Sequence, residues 1–297
     1  MNITIFTPTY NRKSELQGLY ESIRIAYSNI SPEDDIKWLV VDDGSTISIQ
    51  EEINRFAKEA KFPIEFIKKE NGGKHTAFNV AIEACNTDLL VCIDDDDRLT
   101  SDAIKNMFIL AKKYNNNGYG AIVGRVVDNS GNILGRNLAG LPMKSNTIEI
   151  RDKYSFWGEP EVYFVDKLRN YRFDVFPGEK FLTEAYVFDK MSMEFPFLYT
   201  NDVFMVKKYL KGGLTDNQTR IRINSPVGSE AYYYQRKQLC QGFWPKLKAA
   251  INRQRFQFWT ENKHRKVDGY EILAMSVSWL FYLNDKKHLK QHGGVLV

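Results

Sequence analysis

The chain has 297 residues, 43% of them hydrophobic and 26% charged, which suits one large domain or two with a sizeable core. A formal net charge of +4 is too weak to argue for nucleic acid, and no run of 18 apolar residues offers a membrane span. Cys85, Cys92 and Cys240, with an N-terminus that lacks a charged leader and a cleavage site, predict reduced thiols in a cytoplasmic protein.

In chain order, residues 3–7 predict a short β-branched strand ending in the rigid turn Pro8-Thr9-Tyr10-Asn11-Arg12. Ser14 is the expected N-cap of a helix reaching Tyr27. A strand over 36–41 ends in Asp42-Asp43-Gly44-Ser45 and is followed by a helix over 49–60. A third strand, 64–68, ends in Glu70-Asn71-Gly72-Gly73-Lys74, with a helix over 76–84 behind it. Leu89-Leu90-Val91-Cys92-Ile93 is a continuous apolar run, the pattern of a strand covered on both faces, and it stops abruptly at four aspartates, 94–97. This alternation of strands and helices predicts a parallel, doubly wound sheet. Ligands of such sheets bind outside the carboxyl ends of the strands, where all four polar turns converge.

Adjacent carboxylates need neutralising charge nearby. Along extended chain, Asp94 and Asp96 would point one way and Asp95 and Asp97 the other. An i, i+2 pair of carboxylates is a sparse site for Mg²⁺ or Mn²⁺, which fills its other positions with water and substrate phosphate. The bland alternative is a solvated loop leading into a helix at Asp97-Arg98-Leu99-Thr100-Ser101-Asp102. An EF-hand is excluded, because counting from Asp94 puts Leu99 at position six and Lys105 at position twelve. Neither Gly-x-Gly-x-x-Gly nor a P-loop is present, against a dehydrogenase or an NTPase.

Further on, 121–127 reads as a strand, Asp128-Asn129-Ser130-Gly131-Asn132 as a turn, and 148–151 as another strand. Glu184 is open to two readings, a functional carboxylate or a first-turn helix acid favoured by the dipole. Thr183 and Thr200 are possible helix caps, and Glu179, Asp189 and Asp202 are rival acids. Residues 236–266 hold nine Lys or Arg (236, 237, 246, 248, 253, 255, 263, 265, 266) against Glu261, with Trp244, Leu247, Ile251 and Phe258 at helical spacing. This predicts either a membrane-surface helix or a packed helix with solvated charges. Residues 270–283 form an apolar helix too short to span, expected to pack on its neighbours or to form a homodimer contact.

Taken together, Phe6-Thr7-Pro8-Thr9-Tyr10-Asn11-Arg12, Val41-Asp42-Asp43-Gly44-Ser45, Asn71-Gly72-Gly73-Lys74 with Asn79, and Asp94-x-Asp96-Asp97 resemble the family 2 glycosyltransferases in order and spacing. Asp95 departs from the pattern, since the family often has a small residue there. The stretch 158–185 is similar to members from bacterial capsule and exopolysaccharide pathways. The resemblance implies a GT-A fold, that is, a Rossmann-like α/β, mostly parallel sheet with a C-terminal helical extension. It also implies an inverting transfer from a nucleotide-sugar donor, a UDP-sugar, to a glycan or polyprenyl-linked acceptor, with Mn²⁺ or Mg²⁺. By the same resemblance Asp96 binds the metal, with Asp94 or Asp95 helping to hold it or the ribose. Pro8, Tyr10, Arg12, Asp42 and Asp43 face the base, Lys74 lies near the uracil or phosphates, and Glu184 is the catalytic carboxylate.

The expected division is a catalytic domain over 1–225, with its nucleotide half at 1–110 and its acceptor half at 111–225, then a helical region over 226–297. Action at the inner face of the cell membrane follows, with peripheral contact through 236–266. The rivals are a sugar-nucleotide nucleotidyltransferase, which wants a glycine-rich phosphate loop near the first strand, and a non-catalytic nucleotide-sugar-binding subunit.

Overall fold

The computed structural model describes residues 1–156, 158–207, 218–260 and 268–291. These residues form two compact units, 1–172 with 191–207, and 173–190 with 218–260 and 268–291. Lys263, Arg265 and Lys266 of the basic stretch lie outside the described residues.

The first unit opens with β1 (Asn2–Thr9), α1 (Lys13–Tyr27), β2 (Asp35–Asp42), α2 (Gln50–Glu59), β3 (Ile64–Lys68), α3 (Lys74–Ala84) and β4 (Leu89–Cys92). It continues through β5 (Arg98–Leu99), α4 (Ala103–Tyr114), β6 (Ala121–Val127), β7 (Met143–Ser145), α5 (Thr147–Tyr154), β8 (Glu161–Phe164) and α6 (Val165–Leu168). α7 (Ala185–Glu194) starts in the second unit and ends in the first, where β9 (Phe197–Val206) completes the sheet. Strand order is β3-β2-β1-β4-β8-β6-β9-β5, with β7 also on β9. β1 to β4 are parallel, β8 runs against its neighbours β4 and β6, and β9 is parallel to β6.

Alternation along the strands builds a core on each face. On one face Ile3, Ile5, Trp38, Val40, Leu89 and Val91 meet α1, α2 and α4. There the Tyr20 ring stacks on Phe56 at 4.4 Å, and Trp38 donates its indole N–H to Thr7 Oγ1 at 3.0 Å. Phe6 points to the other face and meets Phe78 of α3 edge-on at 5.1 Å. Each such fully buried side chain contributes roughly 1.5–3 kcal/mol, so both faces hold the strand ends in register.

Two local expectations fail. Ser14 does not cap α1; it lies within the helix and donates to Glu15 Oε2, while Arg12 occupies the N-cap position. Residues 148–151 are helical, not a strand. Asn146 accepts from the Glu149 N–H at 2.8 Å and so caps α5, an Asn-x-x-Glu start that outweighs two β-branched isoleucines.

The second unit contains α8 (Gln218–Ile223), α9 (Pro226–Leu239), α10 (Phe243–Gln257) and α11 (Gly269–Gln291). Glu179 accepts from the N–H groups of Val227 (2.6 Å) and Gly228 (2.7 Å), placing a carboxylate on the positive end of α9. α9, α10 and α11 share a buried charge network. Arg253 donates to Glu230 at 2.7 Å and also to Glu271, which Lys237 meets at 2.5 Å. Arg255 makes a forked pair with Asp285 at 2.5 and 2.6 Å. Removing one member of a buried pair costs about 3–5 kcal/mol, so these cations act first as structural groups. Among the described cations of 236–266, Lys237, Arg253 and Arg255 are thus spent inside the unit and are not solvated, and Arg236 lies 4.0 Å from Asp189.

Candidate active site

The carboxyl ends of β1 to β4 meet at one sheet edge, and the loops after them are tied into a ring. Asn11, at φ +54°, receives Thr46 N–H on its side-chain oxygen at 2.9 Å and donates its own N–H to Ser45 Oγ at 2.8 Å, joining loops one and two. Asp43 joins loops two and three, accepting from Lys69 Nζ (2.6 Å), Gly72 N–H (3.0 Å) and Gly73 N–H (2.7 Å). The same crossing requires Gly44, whose φ is +82° and where a Cβ would lie 2.6 Å from the Asn71 nitrogen. Loops one and four meet where Thr9 donates to Asp95 (2.7 Å) and Arg12 to Asp95 (3.0 Å) and Asp96 (2.7 Å). Lys74 closes the ring, 2.8 Å from Asp94.

All the donor residues expected from the sequence thus belong to the first unit and to this edge. Pro8 is the penultimate residue of β1, opposite Val41, and Tyr10, just past the strand, is 46% exposed. Asp42 is fully buried and holds the Ser45 N–H at 2.8 Å, so it shapes the second loop.

Asp97 N–H donates to the Asp94 carbonyl at 3.1 Å, so the aspartates turn instead of continuing the strand. The expected alternation ends there. Asp94, Asp96 and Asp97 each offer an oxygen within 4.8 Å of the others, while Asp95, 3% exposed, is fastened to Thr9 and Arg12. Three hard oxygen donors at this spacing fit Mg²⁺ or Mn²⁺.

Burial raises the Asp94 pKa, but Lys74, Lys207 and Arg12 outweigh it and hold the group below the usual carboxylate range. Burial pushes Asp95 up to about 6 despite Thr9 and Arg12. Asp97 is pushed up to about 7 by burial and by Asp94, Asp96 and Glu159, against the pull of Lys207. Its folded pKa lies above the unfolded value of about 3.9. The folded protein therefore binds this proton more tightly than the unfolded chain, and the resulting stability is lost as pH rises through 7. In chelator-treated protein, Asp97→Asn should raise stability by about 2–4 kcal/mol near pH 8 and much less near pH 4. Thermal unfolding checks this; an unchanged midpoint near pH 8 would show that Asp97 is fully compensated.

Two residues at this edge went unrecognised in the sequence. Lys207 follows β9 and meets Glu159 at 2.7 Å, and each acts electrostatically on Asp97. Topology puts them there: β9 is parallel to β6, so its end reaches the edge, and β8 is antiparallel, so the residues before it start there. The available signal was the apolar run 203–206 ending in Lys207.

Glu184 lies in the second unit, immediately before α7, its carbonyl accepting from Val187 and Phe188 N–H at 3.1 Å. Among its rivals, Asp189 is fully buried and Glu179 is committed to α9. Thr200 caps no helix; it lies in β9 and accepts from Asp202 N–H at 3.2 Å.

A half-parallel sheet with helices on both faces, and acidic and cationic loops gathered at the strand ends, defines a GT-A-type α/β protein. The likeness extends to solved structures: the S. aureus TarS 1–349 structure matches with TM-score 0.62 at 14% identity, covering 96% of this chain and 80% of that one. A mannosyltransferase from Pyrobaculum calidifontis, in complex with GDP-Man and Mn²⁺, matches at TM-score 0.53 and 17% identity, covering 98% and 84%. A model of glycosyl transferase family 2 matches residues 4–177, and the chain belongs to that family. Curated relatives include an uncharacterized glycosyltransferase of Haemophilus influenzae, 30% identical over 35% of this chain and 39% of its own length. A teichoic acid poly(glycerol phosphate) polymerase of Staphylococcus epidermidis is 32% identical over 39% of this chain and 15% of its own length. The chain thus spans well under half the length of the curated relatives it matches.

Proposed function

We propose that this chain is an inverting, metal-dependent glycosyltransferase that moves a sugar from a UDP-sugar to a glycan or polyprenyl-linked acceptor in surface polysaccharide synthesis. The observation that carries the reading is the cluster Asp94, Asp96 and Asp97 inside the ring of four loops. Supporting it, a similar TarS structure is a complex with UDP-GlcNAc (TM-score 0.61, 12% identity, 96% of this chain and 79% of that one). An undecaprenyl-phosphate 4-deoxy-4-formamido-L-arabinose transferase of Pseudomonas savastanoi is 27% identical over 43% of this chain and 36% of its own length.

In this mechanism Glu184 accepts the proton of an acceptor hydroxyl, whose oxygen attacks the anomeric carbon from the side opposite the nucleotide. The new C–O bond forms as the bond to the departing diphosphate breaks, so the configuration inverts. Lys74 supplies positive charge for the phosphates, while Arg12, Asp43 and Tyr10 serve the nucleoside end. Asp94, Asp96 and Asp97 would hold Mn²⁺ or Mg²⁺, which when bound neutralises charge on the leaving group. A nucleotide-sugar donor supports a cytoplasmic site of action, and a lipid-linked acceptor supports work at the membrane face. Support for membrane contact moves from 236–266, whose described cations are largely paired internally, to the helix that follows.

A thermal-shift screen of nucleotide sugars with Mn²⁺ tests the reading. A UDP-sugar at a hundred times its Kd should add about 2.7 kcal/mol of stability, and chelator should remove most of it. If no nucleotide sugar stabilises the protein with or without metal, the donor assignment fails.

A further inference from the structure

α11 is built inside out. The stripe it buries is polar or small, namely Glu271, Ala274, Ser278 and Asp285, each at most 3% exposed. Three of these have buried partners or local satisfaction: Glu271 meets Lys237 and Arg253, Asp285 meets Arg255, and Ser278 donates to the Ala274 carbonyl. The opposite face carries Ile272 (65% exposed), Leu273 (62%), Val277 (40%), Trp279 (47%), Leu280 (65%) and Leu283 (45%). Scattered exposed apolar side chains need no explanation; a continuous helix face of them does. At its N-terminal end the face continues into α10, where the Phe243 ring lies 5.6 Å from Tyr270 and Trp244 is 74% exposed.

The charge around this face has one sign. Residues 226–260 and 268–291 contain nine Lys or Arg and four acids. All four acids are held in internal pairs: Glu230 with Arg253, Asp268 with Lys237, Glu271 with both, and Asp285 with Arg255. Lys246, Lys248, Lys286 and Lys287 make no ion pair among the described residues. A second copy of the chain would set these cations against their like. An anionic lipid surface accepts both the apolar face and the lysines, whose stems lie along the apolar boundary while their ammonium groups reach the headgroups.

We propose that α11, with Phe243 and Trp244, seats this protein on anionic membranes, lying in the interface with its apolar face down. No described helix is long and apolar enough to cross a membrane, and the buried polar stripe of α11 is already occupied by α9 and α10. The helix therefore rests on the bilayer. This does not depend on the donor reading, and it moves the main contact from the basic stretch to α11, keeping only Phe243 and Trp244 of 236–266 in it.

Flotation of the full chain with vesicles tests it, using phosphatidylcholine alone and phosphatidylcholine mixed with phosphatidylglycerol. The wild type should float with the mixed vesicles at low salt and much less with the neutral ones. Leu273→Gln with Leu280→Gln should weaken partitioning about tenfold or more, and its thermal midpoint should not fall, since both side chains are solvent-exposed. Lys286→Gln with Lys287→Gln should weaken it by roughly fivefold per lysine, an effect that raised salt reproduces. Trp244→Ser supplies the same test if the leucine pair fails to fold. The proposal is overturned by absence of flotation at low salt, by equal binding to neutral vesicles, or by undiminished binding of the leucine variant. A dimer in light scattering that Leu273→Gln with Leu280→Gln dissociates would also overturn it, giving the face to a second copy. Donor-induced thermal stabilisation is read separately, so failure here leaves the catalytic reading standing.

Discussion

Asp96→Ala is expected to abolish measurable sugar transfer and metal-dependent donor stabilisation, a loss on the order of a thousandfold or more if several kcal/mol of leaving-group stabilisation disappears. The fold should survive. Asp96 is partly exposed, and its partner Arg12, at 2.7 Å, keeps Asp95 at 3.0 Å when Asp96 is gone. Asp96→Asn separates charge from shape: it preserves a hydrogen bond to Arg12 but offers a hard cation a weaker ligand. Donor titrations with and without Mn²⁺, beside steady-state transfer, check both variants. Full activity in Asp96→Ala, or in wild type with excess chelator, would sink the metal-dependent mechanism.

The catalytic edge was readable because each part of its signal is local. A β-branched or apolar run followed by Pro-Thr-Tyr-Asn-Arg, Asp-Asp-Gly-Ser or Asn-Gly-Gly-Lys states both the strand and where it stops. The parallel order of β1 to β4 then places those stops together. The ties within the edge were not local. Nothing near Asp43 shows that it will hold the N–H groups of Gly72 and Gly73. Nothing near Lys207 shows that an antiparallel β8 will bring Glu159 to it.

Charge misled for the same reason. Arg253 and Arg255 read as surface cations in a sequence that has one acid within ten residues of them, Glu261, whereas their partners Glu230, Glu271 and Asp285 are 18 to 30 residues away. Helix periodicity located α10 but not its buried side, which carries Ala249, Ala250, Arg253, Gln254 and Phe256 while Trp244 is exposed, and it could not say which side of α11 faces inward. Pairing charges across three helices turned the polar stripe in and left the leucines outside.

Glu184→Gln is expected to lower transfer by roughly a hundredfold or more with donor affinity nearly unchanged. The substitution keeps the side chain's shape and removes its ability to take a proton. The competing account makes Glu184 a first-turn acid, suited to its place before α7, where the dipole interaction is worth about 0.3–1 kcal/mol. The two accounts differ in what they move: loss of a base lowers kcat, whereas loss of a helix acid lowers the unfolding midpoint by a degree or two and spares turnover. Glu179 and Asp189 are poorer bases, the first accepting from two α9 N–H groups and the second fully buried 4.0 Å from Arg236. Single-turnover transfer with saturating donor, compared with donor titration, distinguishes the outcomes. If donor affinity collapses while bound donor still turns over, Glu184 holds the donor in place and Asp202 becomes the better candidate for the base.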